Sequence, residues 1–328
     1  MTIATPLELR TLTGELTMAT WTLAAIAALL ESGLVEHLRE ARSLEDLAAR
    51  CPALPQGTIE RCLGVAVAAG VVSVDGQSFR LAPGALPFSE APGRSALQGD
   101  LRSQLMQALA LVDAAAAGSA EPGWNHTNPA LLQAQGDASM AMVPLFQAKV
   151  VASLGDLSAR LDRPGARFLD VGVGVASLAI AMCRCWPELH VVGLDTFEVP
   201  LALARQNVAR AQLVERISLR QLAVEQLRDE EVFDLAWLPS FFVAAAVLPE
   251  AVARVRAALR PGAWILLPIS GIAGADRPRA VLGLISQLWG GPSLTSAEGE
   301  TLLKEAGFTD IRVLAGPPST PPLLVAQR

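Results

Sequence analysis

Two short apolar runs, each closed by an acid, organise the C-terminal half of the chain. Phe168-Leu-Asp-Val-Gly-Val-Gly-Val-Ala176 is interrupted only by Asp170 and by two glycines one residue apart. His190-Val-Val-Gly-Leu194 is the second run and ends in Asp195, 25 positions after Asp170. Continuous rather than alternating apolar character predicts strands buried on both faces of a parallel sheet, with the glycines turning the first strand into a helix. Further apolar runs, at Phe233-Asp-Leu-Ala-Trp-Leu-Pro239 and after Ala258-Leu-Arg-Pro-Gly262, continue the α/β pattern.

The N-terminal part follows another rhythm. Ser43-Leu-Glu-Asp-Leu-Ala-Ala-Arg50 opens on a helix cap, and Pro55-Gln-Gly-Thr58 leads into a second helix ending near Gly70. Val71 to Leu81 alternates around Asp75-Gly76, which reads as a two-residue hairpin turn. Helix, helix and hairpin make a winged helix. The apolar run between Glu15 and Glu31 is too short for the roughly 20 residues of a membrane span and reads as a buried helix. Residues 95–117 read as a helix that ends in the loop Gly118-Ser-Ala-Glu-Pro-Gly-Trp-Asn-His-Thr-Asn-Pro129.

Winged helices often read DNA, but the second helix here carries only Glu60 and Arg61 as charges between Gln56 and Gly70. A helix entering the major groove presents several Lys, Arg, Asn or Gln side chains. This one is apolar nearly all round and is expected to be buried. The net charge of −6, from 26 basic and 32 acidic residues, also opposes binding to nucleic acid or anionic lipid. At 328 residues two domains are expected. The N-terminus has no basic stretch followed by an apolar core, so a cytoplasmic protein is expected. Cys51, Cys62, Cys183 and Cys185 lack metal-ligand spacing and read as free thiols, with no metal site.

The acids and glycines carry the chemistry. A strand–glycine turn–helix unit brings backbone N–H groups close to a ligand, and an acid closing the next strand accepts hydrogen bonds from a ribose diol. A dinucleotide site requires G-x-G-x-x-G, whereas Ser177 stands in the third glycine position. Asp170, two residues before the first glycine, would repel a pyrophosphate and suits a cationic ligand. S-adenosylmethionine offers an ammonium, a sulfonium and the ribose diol.

The chain here resembles the class I S-adenosylmethionine-dependent methyltransferases, whose first motif is D/E-x-G-x-G-x-G. It stands as Asp170-Val-Gly172-Val-Gly174-Val-Ala176, with alanine in the third slot, and is followed in family order by Asp195, Phe233–Pro239, Ala258–Gly262 and Leu302-Leu-Lys-Glu-Ala-Gly-Phe308. Over the whole length the chain is similar to the small-molecule O-methyltransferase type. That resemblance implies a mostly helical winged-helix dimerisation domain over residues 1–90 and connecting helices over 91–165 that contribute to a substrate pocket. Residues 166–328 would then form a Rossmann-like cofactor domain with helices on both faces of the sheet. It also implies a homodimer in which residues 7–30, with Trp21, pack against the partner. It further implies a small-molecule substrate, no nucleic acid or membrane partner, and S-adenosylhomocysteine as product.

The family's roles transfer to matching positions. By that resemblance Asp170 is expected near the methionine amino group, Gly172 and Gly174 are expected to admit the backbone close to the cofactor, and Asp195 to hold the ribose hydroxyls. Thr196 and Phe197 follow, with Phe197 placed either to cover the adenine or to pack in the core. The family's adenine-binding acid matches Ala223, leaving Glu225 or backbone for that contact. Trp124, Asn125, His126 and Asn128 of the connecting loop are pocket candidates, as are Trp237, Ser240, Phe241 and Phe242 after the fourth strand of the sheet. The family's catalytic histidine, in V-L-H-x-W, has no counterpart in Phe241-Phe-Val-Ala-Ala-Ala-Val-Leu248. Either the acceptor is already nucleophilic, or another residue deprotonates it, His126 being the first candidate. A non-methylating enzyme that uses the sulfonium charge for cyclisation or elimination remains the alternative, and a winged-helix regulator stands behind it.

Overall fold

The computed structural model describes residues 3–147, 153–271, 276–314 and 322–328. It divides into two compact units. One comprises residues 1–110 with 137–141, the other 111–136 with 142–328. Residues 91–110 and 137–141 fall in the first unit, and 111–136 and 142–165 in the second.

In the first unit, α1 (Pro6–Glu31), α2 (Leu34–His37), α3 (Leu44–Arg50) and α4 (Gln56–Ala68) accompany a small antiparallel sheet. Its strands are β1 (Arg42–Ser43), β2 (Val72–Asp75) and β3 (Ser78–Leu81), in the order β1-β3-β2. Ser43 caps α3 as expected, its Oγ accepting from Asp46 N at 3.2 Å. Leu30, Leu34, Leu38, Leu47, Ile59, Leu63, Val72 and Leu81 form the core. Asp75 pairs with Ser78, so the two-residue turn is Gly76-Gln77, one position later than the sequence suggested. Gly76 alone takes a positive φ, 61°, which matches a turn with glycine in its first central position.

Two further expectations are corrected in this unit. α4 buries only the stripe Ile59, Leu63 and Ala66, because Gly57, Glu60, Arg61, Gly64 and Ala68 face outward. The apolar run of α1 is neither short nor buried. A capping box of Thr5 and Glu8 starts the helix at Pro6, giving 26 residues, and Leu7, Leu9, Leu16, Met18 and Trp21 are all exposed. By length and composition alone α1 suffices to cross a membrane.

α5 (Gly93–Ala116) is followed two residues later by Gly118, whose φ is 66°. The second unit holds α6 (Pro129–Ser139, its last three residues counted with the first unit), α7 (Met142–Leu145) and α8 (Leu157–Asp162) before the sheet begins. The sheet is built from β4 (Arg167–Val171), α9 (Ser177–Cys185), β5 (His190–Asp195), α10 (Glu198–Arg210), β6 (Ile217–Gln221), β7 (Phe233–Trp237), α11 (Leu248–Ala258) and β8 (Leu259–Pro268). α12 (Arg277–Trp289), α13 (Ser296–Glu305), β9 (Thr309–Leu314) and β10 (Leu323–Gln327) complete it. The strand order is β6-β5-β4-β7-β8-β10-β9, with β10 antiparallel to both its neighbours and the rest parallel.

The order reverses between β4 and β7, and ligands of such sheets bind at the carboxyl ends beside that switch point. Leu169, Val171, Val192, Leu194, Ala236 and Ile265 point to one face, where they pack with Ala251, Val252 and Val255 of α11 and Leu303 of α13. Alternation puts Asp170 on the opposite face, level with Gly193 of β5 and Trp237 of β7. At the other end of the strands, the buried carboxylate of Asp234 accepts from Arg163, Arg260 and the Arg167 backbone N–H, clamping β4 and β7 together.

Candidate active site

The glycine motif folds as a run of left-handed residues. Gly172, Gly174 and Ala176 have φ of 71°, 55° and 66°, so each alternate residue takes a conformation that glycine adopts freely and alanine at a cost of roughly 1–2 kcal/mol. A Cβ on Gly172 or Gly174 would meet nothing closer than 3.9 Å, so backbone conformation rather than crowding requires glycine there. The loop is held in place from β5. Val173 N donates to Leu194 O at 2.8 Å and Gly174 N to Asp195 Oδ2 at 2.9 Å. Asn207 of α10 donates to Val175 O at 3.0 Å and to Gln133 Oε1 of α6 at 2.9 Å.

Gly193 is the point of closest approach. A Cβ there would lie 2.6 Å from Val173 Cγ2, and both sit inside the sheet–loop junction. Gly193→Ala is therefore expected to lower stability by roughly 1–3 kcal/mol and to displace the loop. A thermal unfolding midpoint equal to wild type would contradict this packing.

Asp170 and Asp195 share this cradle. Asp195 is supported by two N–H donors, Gly174 on Oδ2 and Phe197 on Oδ1 at 3.0 Å. Burial nevertheless raises its pKa, against those hydrogen bonds. Asp170 is 2% exposed, and its Oδ2 has no hydrogen-bond partner. Burial, and secondly the charge of Asp195, push its pKa up to about 8. A buried, unpartnered carboxylate oxygen beside an open backbone cradle fits a ligand that brings its own positive charge and donors.

Around the cradle, Thr196 and Phe197 are exposed, Phe197 at 48%. That exposure leaves its ring outside the core and free to cover a ligand. Gln221 pairs with Asp195 in register and donates to Thr196 O at 3.2 Å, while Leu222 N donates to Asp195 O. The turn after β6 therefore runs beside Asp195, with Ala223 and Glu225 half-buried in it.

A second feature lies beyond β7. Phe241 and Phe242 occupy the turn after Pro239 and meet Trp289 at the end of α12, with ring centroids 5.1 and 4.7 Å away, the latter pair stacked. Trp124 meets the edge of Phe242 at 5.2 Å, and His126 meets Trp124 at 4.8 Å. Gly290, with φ of 93°, ends α12, and Gly291 N donates to Phe241 O at 3.0 Å, which fixes Trp289 against the turn. Gly123 N bonds Gln287 O, anchoring the loop that carries Trp124 and His126.

The structure thus gathers Trp124, His126, Phe241 and Phe242 into one cluster and adds Trp289, which sequence reasoning missed. Other candidates stand apart. Trp237 is buried in β7 and packs on Phe146 at 5.5 Å. Ser240 is buried, and its hydroxyl donates to Pro268 O at 2.9 Å. Asn125 is exposed, and Asn128 accepts from Ala130 N at the start of α6. Val243 packs against the hydrophobic core, and no ionisable side chain follows it before Glu250. His126 is half-buried, and burial lowers its pKa.

Residues 168–262 match the family model of the methyltransferase domain. That stretch runs from β4 into the start of β8. Over 88 residues, 26% of the chain, its sequence is 30% identical to the release factor glutamine methyltransferase of Rhodopirellula baltica, and the match covers 30% of that protein. The chain spans only part of the curated relatives it matches. Among solved structures, an O-methyltransferase family protein from Burkholderia thailandensis aligns with a TM-score of 0.65 at 15% identity, over 100% of this chain and 99% of that one. Human N-acetylserotonin methyltransferase in complex with SAM aligns with a TM-score of 0.64 at 17% identity, over 100% and 99%. The methyltransferase fold therefore extends through the arrangement of strands described above, including the antiparallel β10.

Proposed function

We propose that this protein is an S-adenosylmethionine-dependent methyltransferase acting on a small molecule of the kind met in natural-product biosynthesis. The observation that carries the reading is the unpartnered, buried Oδ2 of Asp170 beside the Gly172–Gly174 cradle and Asp195. Asp170 would face the ligand's ammonium, the glycine backbone would admit its chain, and Asp195 would accept from the ribose hydroxyls. Bound S-adenosylmethionine supplies an electrophilic methyl group. The solved methyltransferase of N-acetylserotonin, held with SAM, supports both the cofactor and a small acceptor.

The protein's own contribution is alignment and exclusion of water. The half-buried rings of Trp124, Phe241, Phe242 and Trp289 offer flat apolar surface beyond β7, suited to a planar acceptor. Incubation with S-adenosylmethionine and a panel of phenolic, thiol and amine acceptors should yield S-adenosylhomocysteine in step with methylated product. Product formed without S-adenosylhomocysteine would sink the reading and favour a non-methylating enzyme.

The N-terminal unit is assigned to dimerisation, in a cytoplasmic protein whose four cysteines are free. Leu16, Met18 and Trp21 are exposed at 46, 63 and 68% along one helix, an apolar surface of the kind that a partner covers. Light scattering at micromolar concentration should report a dimer, and the double variant Met18→Glu, Trp21→Glu a monomer. A monomeric wild type would count against the assignment.

A further inference from the structure

The cofactor cradle presents two carboxylates with unequal support. Both oxygens of Asp195 accept backbone N–H groups, whereas Asp170 Oδ2 is enclosed and unpartnered. The groups level with Asp170 are Gly193 on β5 and Trp237 on β7, and the glycine loop follows it, Gly172 facing Pro239. None of these ionises. The charged side chain that acts on Asp170 among the described residues is Asp195, which is another acid. Two carboxylates in one poorly solvated site do not both ionise readily, and the less supported one keeps its proton.

We propose that Asp170 and Asp195 hold one proton between them in the ligand-free protein, and that S-adenosylmethionine expels it on binding, so that cofactor capture is coupled to proton release. The inference rests on the cofactor reading given above. The balance is simple. The O–H bond of the Asp170 carboxyl breaks, its proton passes to solvent, and the carboxylate left behind faces a ligand carrying an ammonium and a sulfonium. A carboxyl held neutral until that moment spares the free protein a bare buried charge.

The sign of the pH dependence follows. Asp170 is pushed up to about 8 by burial first and by Asp195 second. Below that value a bound proton competes with the cationic ligand, so affinity rises by about tenfold per pH unit and levels off above it. A neutral nucleoside such as adenosine, which has the ribose diol but no ammonium, does not displace the proton.

Titration calorimetry of the full chain at about pH 6.5, in buffers of different ionisation enthalpy, tests this; the ligand's own amino group stays protonated there. Close to one proton should be released per S-adenosylmethionine and none with adenosine, and the Kd should fall about tenfold from pH 6 to pH 7. Asp170→Asn should abolish the release and flatten the Kd. In the ligand-free protein, carboxyl carbon NMR should show a group titrating near pH 8 that Asp170→Asn removes. Tight S-adenosylmethionine binding with no proton exchange and a pH-independent Kd overturns the coupling and leaves the cofactor reading intact. Failure to bind at any pH, with the carboxyl still titrating, overturns the cofactor reading and the coupling with it.

Discussion

Replacing Asp195 by alanine lowers the affinity for S-adenosylmethionine by on the order of 100-fold. A hydrogen bond to a charged group contributes about 1.5–3 kcal/mol, and the ribose offers two, so even the lower value gives a loss of roughly 3 kcal/mol. The same carboxylate also accepts from Gly174 N and Phe197 N. Removing it therefore leaves the glycine loop without one of its ties to β5. Asp195→Asn keeps one acceptor oxygen and should fall between the two proteins. Equilibrium dialysis with labelled cofactor measures all three, and an alanine variant that binds like wild type would place the nucleoside elsewhere.

The cradle was legible because its chemistry is local in sequence. An acid, two glycines and a second acid at the end of the next run specify a turn with positive φ and an acceptor beside it, and Gly172, Gly174 and Asp195 sit accordingly. The aromatic cluster was legible only in part. Phe241 and Phe242 follow a strand end directly, but Trp289 reaches them from a helix nearly fifty residues later, and no periodicity encodes that contact. The signal that was available was Gly290-Gly291, a left-handed helix end that fixes where Trp289 stops.

Trp237 and Ser240 show the opposite limit. Both stand where a strand meets the ligand side of the sheet, yet one ring packs on Phe146 and one hydroxyl satisfies Pro268 O. Position along a strand does not say whether a side chain is already partnered. The N-terminal helix differs from expectation for a related reason. The run between Glu15 and Glu31 read as short and buried, but Thr11, Thr13, Thr17, Thr20 and Thr22 each donate to a carbonyl three or four residues earlier, which satisfies their hydroxyls within a longer helix. The helix consequently extends to Pro6 and leaves its apolar positions uncovered in the single chain.

His126→Ala should cut turnover of a phenolic acceptor by about 100-fold or more, the usual contribution of a positioned general base. The turn after β7 offers no such group, since Val243 packs inward and the next residues are alanines. His126 lies edge-on to Trp124, which touches Phe242 of that same turn. Burial lowers its pKa, so the imidazole is neutral, and able to take a proton, at neutral pH. Turnover should accordingly rise with pH through a value below the ordinary 6.5 and stay flat above it, and this acid limb should vanish in the alanine variant. A thiol acceptor separates base catalysis from mere packing. Its thiolate needs no help, so its turnover should change little in His126→Ala, whereas loss of a wall of the pocket would slow both acceptors alike. Phenol turnover close to wild type would remove His126 from the mechanism and leave the acceptor to arrive already ionised.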